Sequence, residues 1–444
     1  MNDEQARRVS VERIDFASVL PVLHLFRSFR MAIQPAKLAL ALLLVLGLYG
    51  SAWLVDTVVG RPVEPGAFAV HQQVPTDPAF YRQWIESDPQ RSLGVFEATA
   101  GVAGQAMRQL VGSAVSLELG LGRAIETRSF AGGGVVGALG TLLVTLPGWL
   151  IMHHPFALVA FGVLALLLGA LLGGAIARLA AVGAAAADAH AAGEPGGLVA
   201  AVRFTLRRYA WFFLAPLLPL LIVALIAVLL AVGGLVLFNL PGLDIVGGVI
   251  FGLLLAGGLV AAVVLLGLAA AGHLLWPGLA VEGTDAFDVI SRAYNYVFGR
   301  PWRAAGYALV SVIYGSVAWA FVALVITLGL VLTGLFTGAW VMRDAAEGLS
   351  RFEAMFSPAG LMSPAAPARF DALGPVGSIA AALVQGWTFL VAALAPAFAV
   401  SFYFCAATWA YLLLRQASDG TSFQDIDGDT APRVDEDEAE PAQR

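Results

Sequence analysis

Between residues 287 and 304 the chain reads FDVISRAYNYVFGRPWRA. Arginines, tyrosines and a proline stand here between two runs, 245–281 and 304–342, that hold no Asp, Glu, Lys or Arg. Inside the stretch, Phe287, Ile290, Tyr294, Val297 and Phe298 recur at helical spacing, with Asp288, Ser291, Arg292 and Asn295 opposite. Such a helix is expected to lie flat at a membrane surface, apolar face in the acyl boundary and arginines among headgroups. Gly299 and Pro301 then stop it, and Trp302 and Arg303 anchor the next apolar run, as interfacial aromatics do. The stretch predicts an elbow: a helix lying down, a break, and a helix standing up.

The runs on either side set the class. Further windows without a charged residue are 38–55, 129–177, 209–243 and 372–414, and about 20 apolar residues suffice to span a bilayer. With 59% hydrophobic residues, 13% charged residues and a mean hydropathy of +0.81, the chain lies outside the soluble globular range. The expected fold class is all-α: a polytopic α-helical transmembrane bundle of about six spans, with interfacial amphipathic elbow helices. The spans are predicted at 38–55, 155–177, 209–238, 245–276, 304–341 and 376–414. A 36-residue polar and amphipathic stretch ahead of the first run argues against a cleaved signal peptide.

Charge decides between six spans and seven. Arginine outnumbers lysine 24 to 1, as in a GC-rich bacterial genome. Basic residues collect in the N-terminal segment (Arg7, Arg8, Arg13, Arg27, Arg30, Lys37), in 178–208 (Arg178, Arg203, Arg207, Arg208), in 282–303 (Arg292, Arg300, Arg303) and at Arg415. Short cytoplasmic loops gather Lys and Arg. Six spans bring all four groups to one side; a seventh span at 132–152 would separate the first from the rest. The segment 132–154 is therefore read as interfacial or re-entrant, consistent with its leading glycines and Pro147.

The expected organisation is a cytoplasmic segment 1–37 containing an amphipathic helix, a first transmembrane helix 38–56 and an extracytoplasmic loop and helical cap at 57–131. The interfacial segment 132–154 follows, then a bundle over 155–415 with elbows near 196–210 and 285–303 and an outer loop at 342–375. An acidic, disordered cytoplasmic tail, 416–444, ends it. The elbow recurs at 196–213, where Leu198, Val202, Leu206 and Tyr209 repeat the spacing, and more loosely at 16–35. The cap carries six basic and seven acidic residues over 57–128, a near neutrality that implies no nucleic-acid partner.

Candidate chemistry is sparse. The single Cys405 excludes an intrachain disulfide. His273 near the end of the fourth span reads as an interface residue, and Asp244 as the cap of the helix after NLPGL. His153 and His154 lack the companions of a metal motif, and DAHAAGE, 188–194, reads as a solvated turn. Asp425, Asp427, Asp429 and Glu436 match positions of a calcium loop, but Thr430 replaces its glycine and Pro432 intrudes. No catalytic residue, metal site or cofactor is expected, and the chain is read as no enzyme. The residues expected to meet lipid headgroups are Arg203, Arg207, Arg292, Arg300, Trp302 and Arg303. Gly169-xxx-Gly173, Gly248-xxx-Gly252 and Gly334-xxx-Gly338 are spaced for close helix packing.

The segments WPGLAVEGTDAFDVISRAYNYVFGRPWR (276–303) and VERIDFASVLPVLHLFRSFRMAI (11–33) resemble those of multi-pass membrane proteins of planctomycete-type bacteria. The order of apolar run, VEG, amphipathic helix, aromatic-Arg and apolar run is more distantly similar to the membrane domain of glycerophosphodiester phosphodiesterases. The resemblance implies the architecture and carries no catalytic residues, since the phosphodiesterase barrel is missing. Two functional classes remain open: a non-enzymatic component or scaffold of the inner membrane, and a permease or lipid-handling transporter. The expected partners are the bilayer with its anionic lipids and a membrane-protein partner.

Overall fold

The computed structural model describes residues 21–58, 94–116, 118–120, 133–188, 197–239, 242–341, 351–356 and 374–426. Every regular element among them is helical. A 3₁₀ turn, Pro21–Phe26, leads into α1 (Arg27–Ala32) and α2 (Pro35–Val58). There follow α3 (Val95–Val115), α4 (Gly134–Gly140), α5 (Leu146–His153), α6 (Pro155–Leu168), α7 (Gly174–Asp188) and α8 (Leu198–Arg207). The chain continues with α9 (Tyr209–Asn239), α10 (Leu243–Glu282), α11 (Ala286–Gly299), α12 (Pro301–Gly338), α13 (Arg351–Met355), α14 (Gly374–Ala392) and α15 (Leu394–Asp419).

Six helical stretches among the described residues are long and apolar enough to cross a membrane: Pro35–Val58, Pro155–Ala187, Tyr209–Asn239, Leu243–Glu282, Pro301–Gly338 and Gly374–Asp419. They correspond to the six expected runs, most of them extended, although the fifth stops at Gly338 instead of 341. At about 1.5 Å per residue, the 40 residues of α10 reach about twice the roughly 30 Å of a bilayer's hydrocarbon core. Large apolar side chains stay exposed along α10 from Leu243 to Leu266, whereas Leu274, Leu275 and Pro277–Val281 are buried in protein.

The chain divides into two compact units. The first contains residues 1–41, 170–319 and 398–444. Its interior is formed by α7, the end of α10 and residues 404–415 of α15, which are buried on all sides. Such burial requires small residues, and they are there: Gly173 faces the Phe404 ring, Gly174 faces Phe212 and Thr205, and Gly278 faces Val289 and Tyr411. Pro216 and Trp276 solve a related problem. A proline has no N–H for the carbonyl four residues earlier, and Trp276 Nε1 donates to the Phe212 carbonyl at 2.8 Å.

The elbows surround this interior. The 3₁₀ turn with α1, then α8 and α11, each lead within two or three residues into a long helix, α2, α9 and α12 respectively. Elbow α11 buries Ala286, Val289, Ala293, Tyr296 and Val297 against protein and leaves Phe287 and Phe298 exposed. Its buried face is thus rotated from the one expected at the acyl boundary, because α10 and α15 occupy that side. Asp285 caps α11 by accepting from the Asp288 amide at 3.2 Å.

The second unit contains residues 42–169 and 320–397. Val55, Val95, Phe96, Ala98, Trp149, Leu150 and Ala157 form its main apolar cluster. The Asp56 carboxylate at the end of α2 accepts from the amides of Phe96 and Glu97 at the start of α3. Within the expected 132–154 segment, Gly134–His153 is helical, widened at Thr141–Thr145 and broken at His154, with Leu146, Trp149 and Leu150 buried. Gly334 and Gly338 pack on Phe356 and Phe352, while Gly248 and Gly252 of α10, in the first unit, have open space around them.

Two expectations shift. Asp244 does not cap α10; Gly242, at φ 91°, precedes the helix, and Asp244 lies in its first turn. The first residues of the expected tail, 416–426, are ordered, since α15 runs to Asp419 and Phe423 and Ile426 are buried beyond it; the rest of the tail lies outside the described residues.

Candidate functional site: the polar junction around Glu282

The charged residues flanking the apolar runs come together where α10 and α15 end. α10 finishes at Glu282, and Gly283 stops it in the left-handed region at φ 65°, its amide returning to the Leu279 carbonyl at 3.0 Å. α15 finishes alike: Asp419 is followed by Gly420 at φ 72°, whose amide returns to the Gln416 carbonyl. Each terminal carboxylate takes a tyrosine hydroxyl. Tyr411 donates to Glu282 Oε1 at 2.9 Å, and Tyr296 donates to Asp419 Oδ2. The two tyrosine rings pack 5.7 Å apart.

Arginines complete the junction. Arg415 Nε lies 2.9 Å from Glu282 Oε1, and both side chains are 8% exposed. That contact is an ion pair without hydrogen-bond alignment, as Nε has no bonded acceptor; Nη1 instead donates to the Asp425 carbonyl at 2.6 Å. Arg292 donates to both oxygens of Asp288 and stands 3.7 Å from Glu282 Oε2. The hydrogen bond to Asp288 holds its guanidinium charged well above the ordinary arginine range, with Glu282 adding to the effect. Burial, reinforced by the Asp419 hydrogen bond, pushes the Tyr296 phenol well above its usual range.

A second pair of arginines serves the last carbonyls of α10. Arg178, 1% exposed, donates to the Ala280 carbonyl at 2.7 Å, and Arg208 donates to the Gly283 carbonyl at 2.9 Å. Both guanidinium carbons lie over the Phe204 ring, at 3.9 and 4.3 Å. Cations at a helix C-terminus complement its dipole and its unpaired carbonyls. Lys37, the chain's one lysine, is buried and donates to Gln34 Oε1. A third cluster joins the chain ends: the His24 ring packs on Trp409 and Phe423 at 5.2 and 5.3 Å.

Of the six residues expected at headgroups, Arg292 alone belongs to this junction. Arg203 and Arg207 are exposed on α8, Arg303 is exposed at the start of α12, Arg300 is half-buried, and Trp302 is 88% exposed. The sequence reading missed Glu282, Tyr296, Tyr411 and Asp419 and used Arg178, Arg208 and Arg415 only as counts of positive charge. The available signal was an isolated charge of either sign directly ending an apolar run. His273 bonds the Ala270 backbone, and His154 packs against Trp149 at 4.8 Å. Of DAHAAGE and the calcium-like spacing, only Asp188 and Asp425 lie within the described residues. No group of three or more His, Cys, Asp or Glu with metal-holding geometry occurs among the described residues.

Chemically, the junction neutralises charge and fixes the ends of α10 and α15 relative to the elbow α11. No protein-family model, curated protein or solved structure matches this chain.

Proposed function

We propose that this chain is a non-enzymatic scaffold component of the bacterial inner membrane, with both termini cytoplasmic and amphipathic elbows lying in the cytoplasmic interface. The observation that carries the reading is that the charged groups where α10 and α15 end are paired within the protein. Glu282 pairs with Arg415, Arg292 and Tyr411, and Asp419 accepts from Tyr296. Two hydroxyls of α15 turn to backbone carbonyls, Thr408 to Phe404 and Ser401 to Ala32, whereas Ser311 Oγ of α12 is buried without a hydrogen-bond partner. Transport of an ion or polar solute draws on ionisable groups inside spans. Here Glu282, Arg415 and Asp419 stand near helix ends, while Arg178, inside the Pro155–Ala187 stretch, is held by the Ala280 carbonyl. The orientation follows from the arginines of the elbows. The resemblance to multi-pass proteins of planctomycete-type bacteria belongs to the same reading and supplies no activity.

Two measurements test it. With Cys405 buried, cysteine introduced as Arg303→Cys should react with an impermeant maleimide only after spheroplasts are lysed, and Trp340→Cys before lysis. The reverse pattern overturns the orientation. Gentle extraction and native mass spectrometry should recover a stoichiometric protein partner. A bare chain holding a small solute would overturn the scaffold reading in favour of a permease or lipid-handling protein.

A further inference from the structure

The outward faces of the three elbows share one composition. On the first, Phe26, Arg27, Arg30 and Ile33 are exposed. On α8 the exposed line is Val199, Arg203, Leu206 and Arg207, one helical face by spacing. On α11 and its junction with α12 it is Phe287, Phe298, Trp302 and Arg303. Each face thus alternates large apolar side chains with guanidiniums, whereas the opposite face is buried in protein. Segments 21–34 and 198–207 contain no Asp or Glu. The acids of α11 are engaged: Asp288 is paired with Arg292, and Asp285 caps the helix.

Neither water nor hydrocarbon alone suits such a face. Water leaves the phenylalanines and Trp302 exposed, and hydrocarbon leaves the arginines unsolvated. The headgroup layer takes both, since arginine stems lie along apolar surface while their heads reach phosphate. Guanidinium and phosphate also match in charge and in planar two-point geometry.

We infer that the three elbows form a binding surface for anionic phospholipid headgroups, with Arg27, Arg30, Arg203, Arg207 and Arg303 as the phosphate ligands. This deepens the membrane reading above and rests on the elbows meeting an interface. It also revises which arginines serve the lipid. Arg292 is committed to Asp288 and Glu282 and acts within the protein, and Arg27 and Arg30 enter instead.

The test uses the full-length protein in nanodiscs of mixed phosphatidylglycerol and phosphatidylcholine, with the lipids retained on release counted by native mass spectrometry. The wild type should retain phosphatidylglycerol above its bulk fraction, and the enrichment should fall with salt. Each basic residue near an anionic surface contributes about fivefold, so changing all five arginines to glutamine should bring the retained phosphatidylglycerol down to its bulk fraction. Arg292→Gln, compared once its thermal midpoint in detergent shows that it is folded, should leave the enrichment unchanged. If the fivefold variant does not fold, Arg203→Gln with Arg207→Gln, both on the exposed face of α8, should still lower it several-fold. Unchanged enrichment in the folded variants, or loss with Arg292→Gln alone, overturns the inference. Nanodiscs carry no cellular sidedness, so this outcome is independent of the maleimide result.

Discussion

Tyr411 of α15 donates its hydroxyl to Glu282 of α10 at 2.9 Å, tying together the ends of two helices that both stop at a left-handed glycine. The same carboxylate neutralises Arg415 one turn further along α15. Breaking one partner of a buried pair leaves an uncompensated charge, at a cost of roughly 3 to 5 kcal/mol. Glu282→Gln should therefore lower the thermal midpoint in detergent markedly, and adding Arg415→Met should recover much of the loss. A double variant no more stable than Glu282→Gln would show that the pair is not what holds the junction.

The Tyr296 phenol gives the junction a pH dependence. In the unfolded chain a tyrosine titrates near pH about 10, and in the folded protein burial and Asp419 keep the proton on above that. Its contribution is thus complete below about pH 10 and declines as pH rises toward the elevated folded value. Melting curves through the alkaline range should fall less steeply for Tyr296→Phe than for the wild type. Parallel curves would contradict this assignment.

Pro216 and Trp276 should be coupled. Trp276→Phe strands the Phe212 carbonyl, which costs about 1 to 3 kcal/mol when buried. In a Pro216→Ala background the restored amide can serve that carbonyl, so the same substitution should cost less. Equal losses in both backgrounds, read from unfolding midpoints, would rule out the compensation.

The start of α3 depends on a close approach. A side chain at position 94 would collide with the Asp56 carboxylate that caps the helix. Gly94→Ala and Asp56→Ala should each weaken the first turn of α3 by about 1 to 2 kcal/mol. Hydrogen exchange at Phe96 and Glu97 is the readout, and unchanged protection in both variants would refute the capping role.

What was legible in the sequence follows from local, additive quantities. Hydropathy over a window depends on that window alone, so the helical class and the six apolar helices could be read from it. The same holds for the elbow breaks at Pro35 and Pro301, where one residue dictates backbone geometry. The sequence did not reveal that Glu282 meets Arg415, or that Arg178 and Arg208 share the Phe204 ring. A charge at a helix end has many possible partners, and only the packing of α7, α8, α10 and α15 brings one of them within 3 to 4 Å. The glycines divide in the same way. Gly173 and Gly248 have equivalent spacing in sequence, yet one faces the Phe404 ring and the other open space, because tertiary packing alone determines which helix face gains a neighbour.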